Sequence, residues 1–388
     1  MKGRALAARR AILTVFPALF VLAILWPLAR PIEGSGDAFQ FWYAGHLVVS
    51  GRSPYDQAAW HEAASRYGAI AANVERNCGD ADSSVCTWAY PPAAAWLFAP
   101  FGALDPDLGI PLLIAFVIVS AVVGVGATAL VFGPRAMPSR AAFLAIAFAG
   151  HPFVVDLRAS HPVGVLLLGL TALASGFAGS STPRVSAGAF ILALKPHVLL
   201  IVAAAGIVLL VMARAWRLLI AVIAAISLTQ LAAWSAAPVD LSGLVARAGA
   251  KGAVAWATTW ALAASTGAPW LAAAAILALA GLAFAAAVVR AGGRSRILAI
   301  IAGAAAFSLV IAPYAQPYDY LLALPALAAA MRERPKAGFV CAAVYVAGTW
   351  GAILLGQVDE ATERTYALLP VAALLLLASA PRGHPRIA

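Results

Sequence analysis

Four groups of residues in this chain have the types and the spacing to do chemistry. Asp37 follows Gly34-Ser35-Gly36 at the end of a long apolar run and leads into an aromatic stretch. A carboxylate at a membrane boundary loses hydration, which raises its pKa and suits it to take a proton from a hydroxyl. The position also reads as a helix N-cap, since Asp37 with Gln40 three residues on makes a capping box. Lys195 lies in the apolar run Ile191–Pro196, with His197 adjacent. A lysine there is costly in lipid unless it faces a polar cavity or an anion such as a phosphate; snorkelling to the interface is the alternative.

The third group, His151, Asp156, Arg158 and His161, is dense for so apolar a chain. An Asp156–Arg158 salt bridge would account for part of it. The histidines lack a zinc-like arrangement, so no metal is expected. The fourth group is Tyr314-Ala315-Gln316-Pro317-Tyr318-Asp319-Tyr320. Tyr-Asp-Tyr at a helix mouth can hold a sugar by stacking and hydrogen bonds, and it also reads as an aromatic belt. No Walker loop, dinucleotide-binding glycine pattern or nucleophile elbow is present. A group-transfer enzyme facing outward has no nucleotide sugar to use, so its donor would arrive on a lipid carrier, with no cofactor.

The elements that must position these groups are set by composition. Of 388 residues, 63% are hydrophobic and only 11% are charged, with a mean hydropathy of +0.90. A soluble fold of this length cannot bury so much apolar surface. The runs are Ala/Leu-rich without strict alternation, which indicates helices rather than barrel strands. The net charge of +10 is carried mostly by short loops on one side, around Arg9-Arg10, Arg135, Arg184, Arg214, Arg290, Arg334 and Arg382. Of the 16 acidic residues only Glu333 joins them. That is the positive-inside pattern, so the charge sets topology rather than recruiting nucleic acid.

The expected fold is therefore an all-α polytopic membrane protein, one domain over residues 1–388, with both termini cytoplasmic. Twelve membrane segments are expected, near 11–30, 108–132, 139–156, 163–179, 185–194, 196–212, 216–238, 269–290, 296–313, 318–331, 337–356 and 364–380. The first is read as an uncleaved helix rather than a signal peptide. The pair at 185–212 is short for two crossings, and a helix broken at Lys195-Pro196 would reconcile it. Two outer loops, about 31–106 and 239–268, carry most of the polar chemistry. The first is expected to hold an interfacial aromatic helix at Ala38–Val49, a second helix at 57–68, and an apolar dip at 93–104. Cys78 and Cys86 lie in that loop, where a disulfide and two free thiols are both open; Cys341 reads as packing.

Several motifs in order resemble glycosyltransferase family 87, membrane mannosyltransferases of the glycosyltransferase C superfamily. They are Gly36-Asp37-Ala38-Phe39 with Tyr43-Ala44-Gly45, Gly51-Arg52-Ser53-Pro54-Tyr55-Asp56, Tyr90-Pro91-Pro92, Leu194-Lys195-Pro196, Ala312-Pro313-Tyr314 and Tyr318-Asp319-Tyr320. The chain departs from the family at Ser160-His161-Pro162, where members often show Gly-Gln, and at Tyr318-Asp319-Tyr320, which replaces a histidine-rich stretch. The resemblance implies inverting transfer of a sugar from a polyprenyl-phosphate carrier to a glycan or glycolipid acceptor. Asp37 is then the catalytic base, and Lys195, with Arg158 or His161, neutralises the leaving phosphate. Tyr90, Tyr318 and Asp319 complete the candidate substrate-binding set. A transporter or flippase of lipid-linked sugars is the competing expectation; a non-catalytic scaffold is the third.

Overall fold

The computed structural model describes residues 37–71, 88, 90–196, 199–236, 258–291, 293–354 and 364–379. The expected helix at 11–30, Cys78, Cys86, His197, both termini and most of the second outer loop lie outside them.

All regular structure among the described residues is helical. The outer region carries α1 (Ala38–Val49), α2 (Gln57–Tyr67) and α3 (Pro92–Gly102). There follow α4 (Pro106–Val131), α5 (Met137–Ala149), α6 (His151–Ala159), α7 (Val163–Ala178), α8 (Thr182–Leu192), α9 (Leu200–Met212) and α10 (Trp216–Ala236). The last group is α11 (Thr259–Ala264), α12 (Pro269–Arg290), α13 (Gly293–Ile311), α14 (Leu324–Glu333), α15 (Pro335–Leu354) and α16 (Leu368–Ala378). Proline stands in the first turn of α3, α4, α5, α6, α8, α12 and α14. There its fixed φ suits the helix and its missing N–H is not needed.

Among the described residues three helices, α4, α10 and α12, are long and apolar enough to cross a membrane, or four if α5 and α6 count as one broken span. Apolar side chains along them face outward, among them Ile220, Leu228, Leu271 and Leu282, as lipid solvation requires. The chain thus has the build of a helical, membrane-embedded protein. Several of the other expected segments that lie among the described residues are shorter or interrupted. Segment 139–156 bends by 51° between α5 and α6, where Pro152 denies the ladder a donor. Segment 318–331 opens as a 3₁₀ turn, Pro317–Ala323, before α14 begins. At 185–212 stand α8 and α9, of 11 and 13 residues. At 1.5 Å per residue they reach only about 16 and 20 Å, short of a core of about 30 Å. The chain leaves the α-helix after Leu192, through a turn at Ala193-Leu194 and a bend at Lys195, and Pro196 is in 3₁₀ conformation.

Two buried clusters make the core. One is the main bundle, from Ala121 on α4 through α16. The other joins α1, α2 and α3 to Leu113 and Val117 on α4. The α1 helix has the bounds expected, but its setting differs from the expected interfacial one. Phe39, Phe41, Trp42, Tyr43, Leu47 and Val48 are all buried in protein, because α3 lies directly against it. Gly45 and Gly102 permit that approach: a Cβ on Gly45 would sit 2.4 Å from the Phe98 carbonyl oxygen, and one on Gly102 2.1 Å from His46 N. Side-chain bonds then fix α1 in place, Trp42 Nε1 to the Leu104 carbonyl (3.1 Å) and Tyr43 Oη to the Ala59 carbonyl (2.8 Å). A similar close contact joins α4 to α7, where a Cβ on Gly164 would meet Ala121 N at 2.2 Å; small residues serve this role in membrane bundles.

At the end of the bundle opposite the site, Arg290 donates to the Ala378 carbonyl and Arg334 to the Ser379 carbonyl. Two of the basic loops therefore converge on the C-terminus of α16, where cations offset the helix dipole.

Candidate functional site

The site lies on the seam between the two cores. Lys195 stands at the break after α8 and is 3% exposed. Its ammonium meets Asp319, 0% exposed, with Nζ 2.5 Å from Oδ1. The second carboxylate oxygen of Asp319 accepts the Gln316 N–H (3.0 Å) and so holds the 3₁₀ turn closed. The turn thus carries its own counter-ion to the broken helix. The Lys195 ammonium also lies 5.2 Å from the Tyr318 ring centroid and 5.8 Å from that of Tyr90, within cation–π range.

His161 completes the cluster. The left-handed conformation of Ser160 ends α6 (φ 56°) and turns the chain so that His161 N–H donates to the Asp156 carbonyl at 3.0 Å. The imidazole stacks on Tyr318 (4.1 Å, 15°) and its Nε2 is 2.7 Å from Tyr90 Oη. Phe41 of α1 meets it edge-on at 5.2 Å. Tyr55 donates to the Tyr90 carbonyl and steadies the link ahead of α3. Burial holds the Tyr90 phenol well above its ordinary range, and the Asp37 carboxylate adds to this, so Tyr90 keeps its proton. Burial likewise raises the Tyr314 phenol, partly offset by the Gln316 side chain hydrogen-bonded to it.

Five sequence candidates, Tyr90, His161, Lys195, Tyr318 and Asp319, therefore come together from four separate stretches of chain. Asp37 stands at the edge of this cluster. Its N–H donates to the Ala159 carbonyl at 2.6 Å, tying the start of α1 to the end of α6. Its side chain makes no capping bond to α1, so the capping-box expectation is not met. Its charge acts on Tyr90, Tyr314 and Tyr318. Arg158 does not join the cluster: it is exposed, while Asp156 two residues earlier is 0% exposed. Residues two apart on a helix do not share a face, which is why the expected Asp156–Arg158 bridge is absent. Neither Asp156 oxygen has a hydrogen bond of good geometry, and the nearby Val163 N–H is committed to the His161 carbonyl (2.9 Å). The sequence pointed to Asp156 but as a partner of Arg158; the two-residue spacing was the available signal against that pairing. The tyrosines at 318 and 320 are buried in protein rather than set in a lipid-facing belt.

One hollow is lined by Lys195 and a second by its neighbour Leu194. The first, small at about 30 Å³, also has Tyr90, His161, Phe41 and apolar neighbours in its lining. The second, of about 390 Å³, is bounded by Ala93, Trp96, Leu97, Phe190, Leu194, Thr229, Ala232 and Ala233. Its lining comes from α3, α8, α10 and Leu194, and among these residues only Trp96 and Thr229 offer a side-chain polar atom. No group of three or more His, Cys, Asp or Glu among the described residues could hold a metal ion.

Fold and site together describe a helical membrane protein with a buried, charge-bearing pocket beside an apolar groove. Comparison with protein-family models, with curated proteins and with solved structures gave no match to this chain.

Proposed function

We propose that this chain is a membrane glycosyltransferase that moves a sugar, mannose by its resemblance to glycosyltransferase family 87, from a polyprenyl-phosphate carrier to an acceptor hydroxyl. The acceptor is a glycan or glycolipid at the outer face of the cytoplasmic membrane. The observation that carries the reading is the Lys195 ammonium. It is buried, makes one hydrogen bond, to Asp319, and lines a small hollow between Tyr90 and His161. An ammonium has three donors, so two remain for the oxygens of a phosphate. The adjoining apolar groove suits a hydrocarbon tail.

In this reading the acceptor hydroxyl gives its proton to Asp37 as its oxygen forms a bond to the anomeric carbon. The bond from that carbon to the phosphate oxygen breaks on the opposite face, and the electron pair leaves with the polyprenyl phosphate. Lys195 offsets the charge that develops on the leaving oxygen. Charge stabilisation of this kind is usually the largest catalytic contribution, and base assistance is worth on the order of 10²–10⁴-fold.

The test is transfer of radiolabel from polyprenyl-phosphate mannose in membranes containing wild type or Asp37→Asn. Because the Asp37 side chain does not cap α1, the variant should fold. Loss of transfer with fold intact supports both the class and the base. Equal transfer by the two retains the class and removes Asp37 from the chemistry. A flippase reading draws on the same groove, and it predicts movement of the intact lipid-linked sugar across vesicles with no release from the carrier.

A further inference from the structure

The two hollows share two walls, Leu97 and Leu194. Leu194 precedes Lys195 directly and is 7% exposed; Leu97 lies midway along α3. A molecule with its tail in the groove and its head at Lys195 therefore lies against both side chains. The inner hollow, about 30 Å³, holds roughly one or two waters, since one water needs about 10–15 Å³. A phosphate therefore needs the lining to give, and Leu97 and Leu194 are the side chains that face both hollows. The backbones behind them have little freedom to retreat. Gly45 and Gly102 hold α3 in backbone contact with α1, and the Lys195–Asp319 pair holds the break after α8. Movement on the groove side is thus a rotamer change of the two leucines.

We propose that Leu97 and Leu194 form a selectivity constriction that admits a lipid phosphate carried on a single hydrocarbon chain and rejects one carried on a two-chain glycerolipid. The proposal rests on the reading of Lys195 as the phosphate site and adds the residues that choose the carrier. A single isoprenoid chain can lie in the groove with its phosphate between the leucines and, in the donor, the sugar beyond it. The branch point of a diacyl lipid sits too close to its phosphate to do so without forcing both chains against the same gap, and specificity of this kind comes from the clash.

The experiment compares binding of undecaprenyl phosphate and of dioleoyl phosphatidic acid to the full-length protein in detergent, by native mass spectrometry. The wild type is expected to prefer undecaprenyl phosphate by about tenfold or more, which is about 1.4 kcal/mol. The double variant Leu97→Ala/Leu194→Ala should bring the ratio close to one by admitting phosphatidic acid. Leu97→Trp should weaken undecaprenyl phosphate by a similar factor, and this second variant keeps the test decisive if the double variant folds poorly. Absence of a wild-type preference, or a ratio unmoved by either variant, overturns the constriction. Lys195→Met separates the two levels. If it leaves undecaprenyl phosphate binding intact while the leucine variants change the ratio, the phosphate role of Lys195 falls and the constriction stands. If it abolishes binding while the leucine variants leave the ratio unchanged, the reverse holds.

Discussion

Replacing Asp319 by leucine would leave the Lys195 ammonium without its counter-ion in a place where it is 3% exposed. Breaking a buried pair by removing one partner typically costs about 3–5 kcal/mol, because the remaining charge stays desolvated. The change also strips the Gln316 N–H of its acceptor, a further loss of about 1 kcal/mol. Asp319→Leu should therefore fall well below wild type in thermal melting followed by tryptophan fluorescence in detergent, or fail to accumulate. The double variant Lys195→Met/Asp319→Leu removes both charges and keeps similar volume. Such exchanges are often neutral, or stabilising by about 1–4 kcal/mol, so most of the melting temperature should return. On the proposed function, transfer from the lipid carrier should not return, since the ammonium proposed to meet the phosphate is gone. Melting of Asp319→Leu at the wild-type temperature would refute the buried pair. A double variant with full transfer would reduce Lys195 to a structural part.

Three further outcomes follow from the geometry. Gly164→Leu puts a side chain where even a Cβ meets Ala121 N at 2.2 Å, so α4 and α7 must separate, and the yield of monodisperse protein on gel filtration should collapse. Arg158→Ala should change the melting temperature by no more than about 0.5 kcal/mol of stability, the usual range for surface substitutions, since no Asp156 bridge is lost; a large drop would show a partner that the exposed position does not provide. Burial pushes the Tyr43 phenol up to about 12 from 10.0. Its stabilising contribution is therefore fully present below pH 10 and is lost as pH rises through 12, because the unfolded chain gives up the proton first. Tyr43→Phe should flatten the fall in melting temperature across that interval, and an unchanged slope would contradict the assignment.

Much of the fold was legible because lipid demands long apolar runs and the basic loops alternate with them. The boundaries of α1 and α12 match the aromatic stretch at Ala38–Val49 and the run at 269–290. What the sequence did not disclose was depth. Ala38–Val49 carries the aromatics of an interfacial helix, yet its glycine at position 45 is the feature that decides its fate, because it lets α3 cover the helix. Likewise 318–331 has the composition of a span, and Pro317 with Asp319 turns its first half into a 3₁₀ segment. In the site, residue types were readable one by one: a lysine in an apolar run needs an anion. The partner, 124 residues away, was not, since nothing local distinguishes Asp319 from a sugar-binding carboxylate.

The two interruptions explain each other. A chain that leaves the helix at membrane depth frees backbone groups and exposes them to hydrocarbon, which is tolerated only where protein encloses the break. The break after α8 and the turn at Pro317–Ala323 meet, and a side chain from each neutralises the other. Neither could be regularised alone. A continuous helix through Lys195 would point its ammonium elsewhere, and a continuous helix through Asp319 would withdraw the carboxylate that holds Gln316 N. Proline at 196 and at 317 keeps a regular ladder from running on through either point from the preceding turn. The loss of regular structure at this point is thus a condition for holding one buried cation between Tyr90 and Tyr318, beside a groove fit for a hydrocarbon chain.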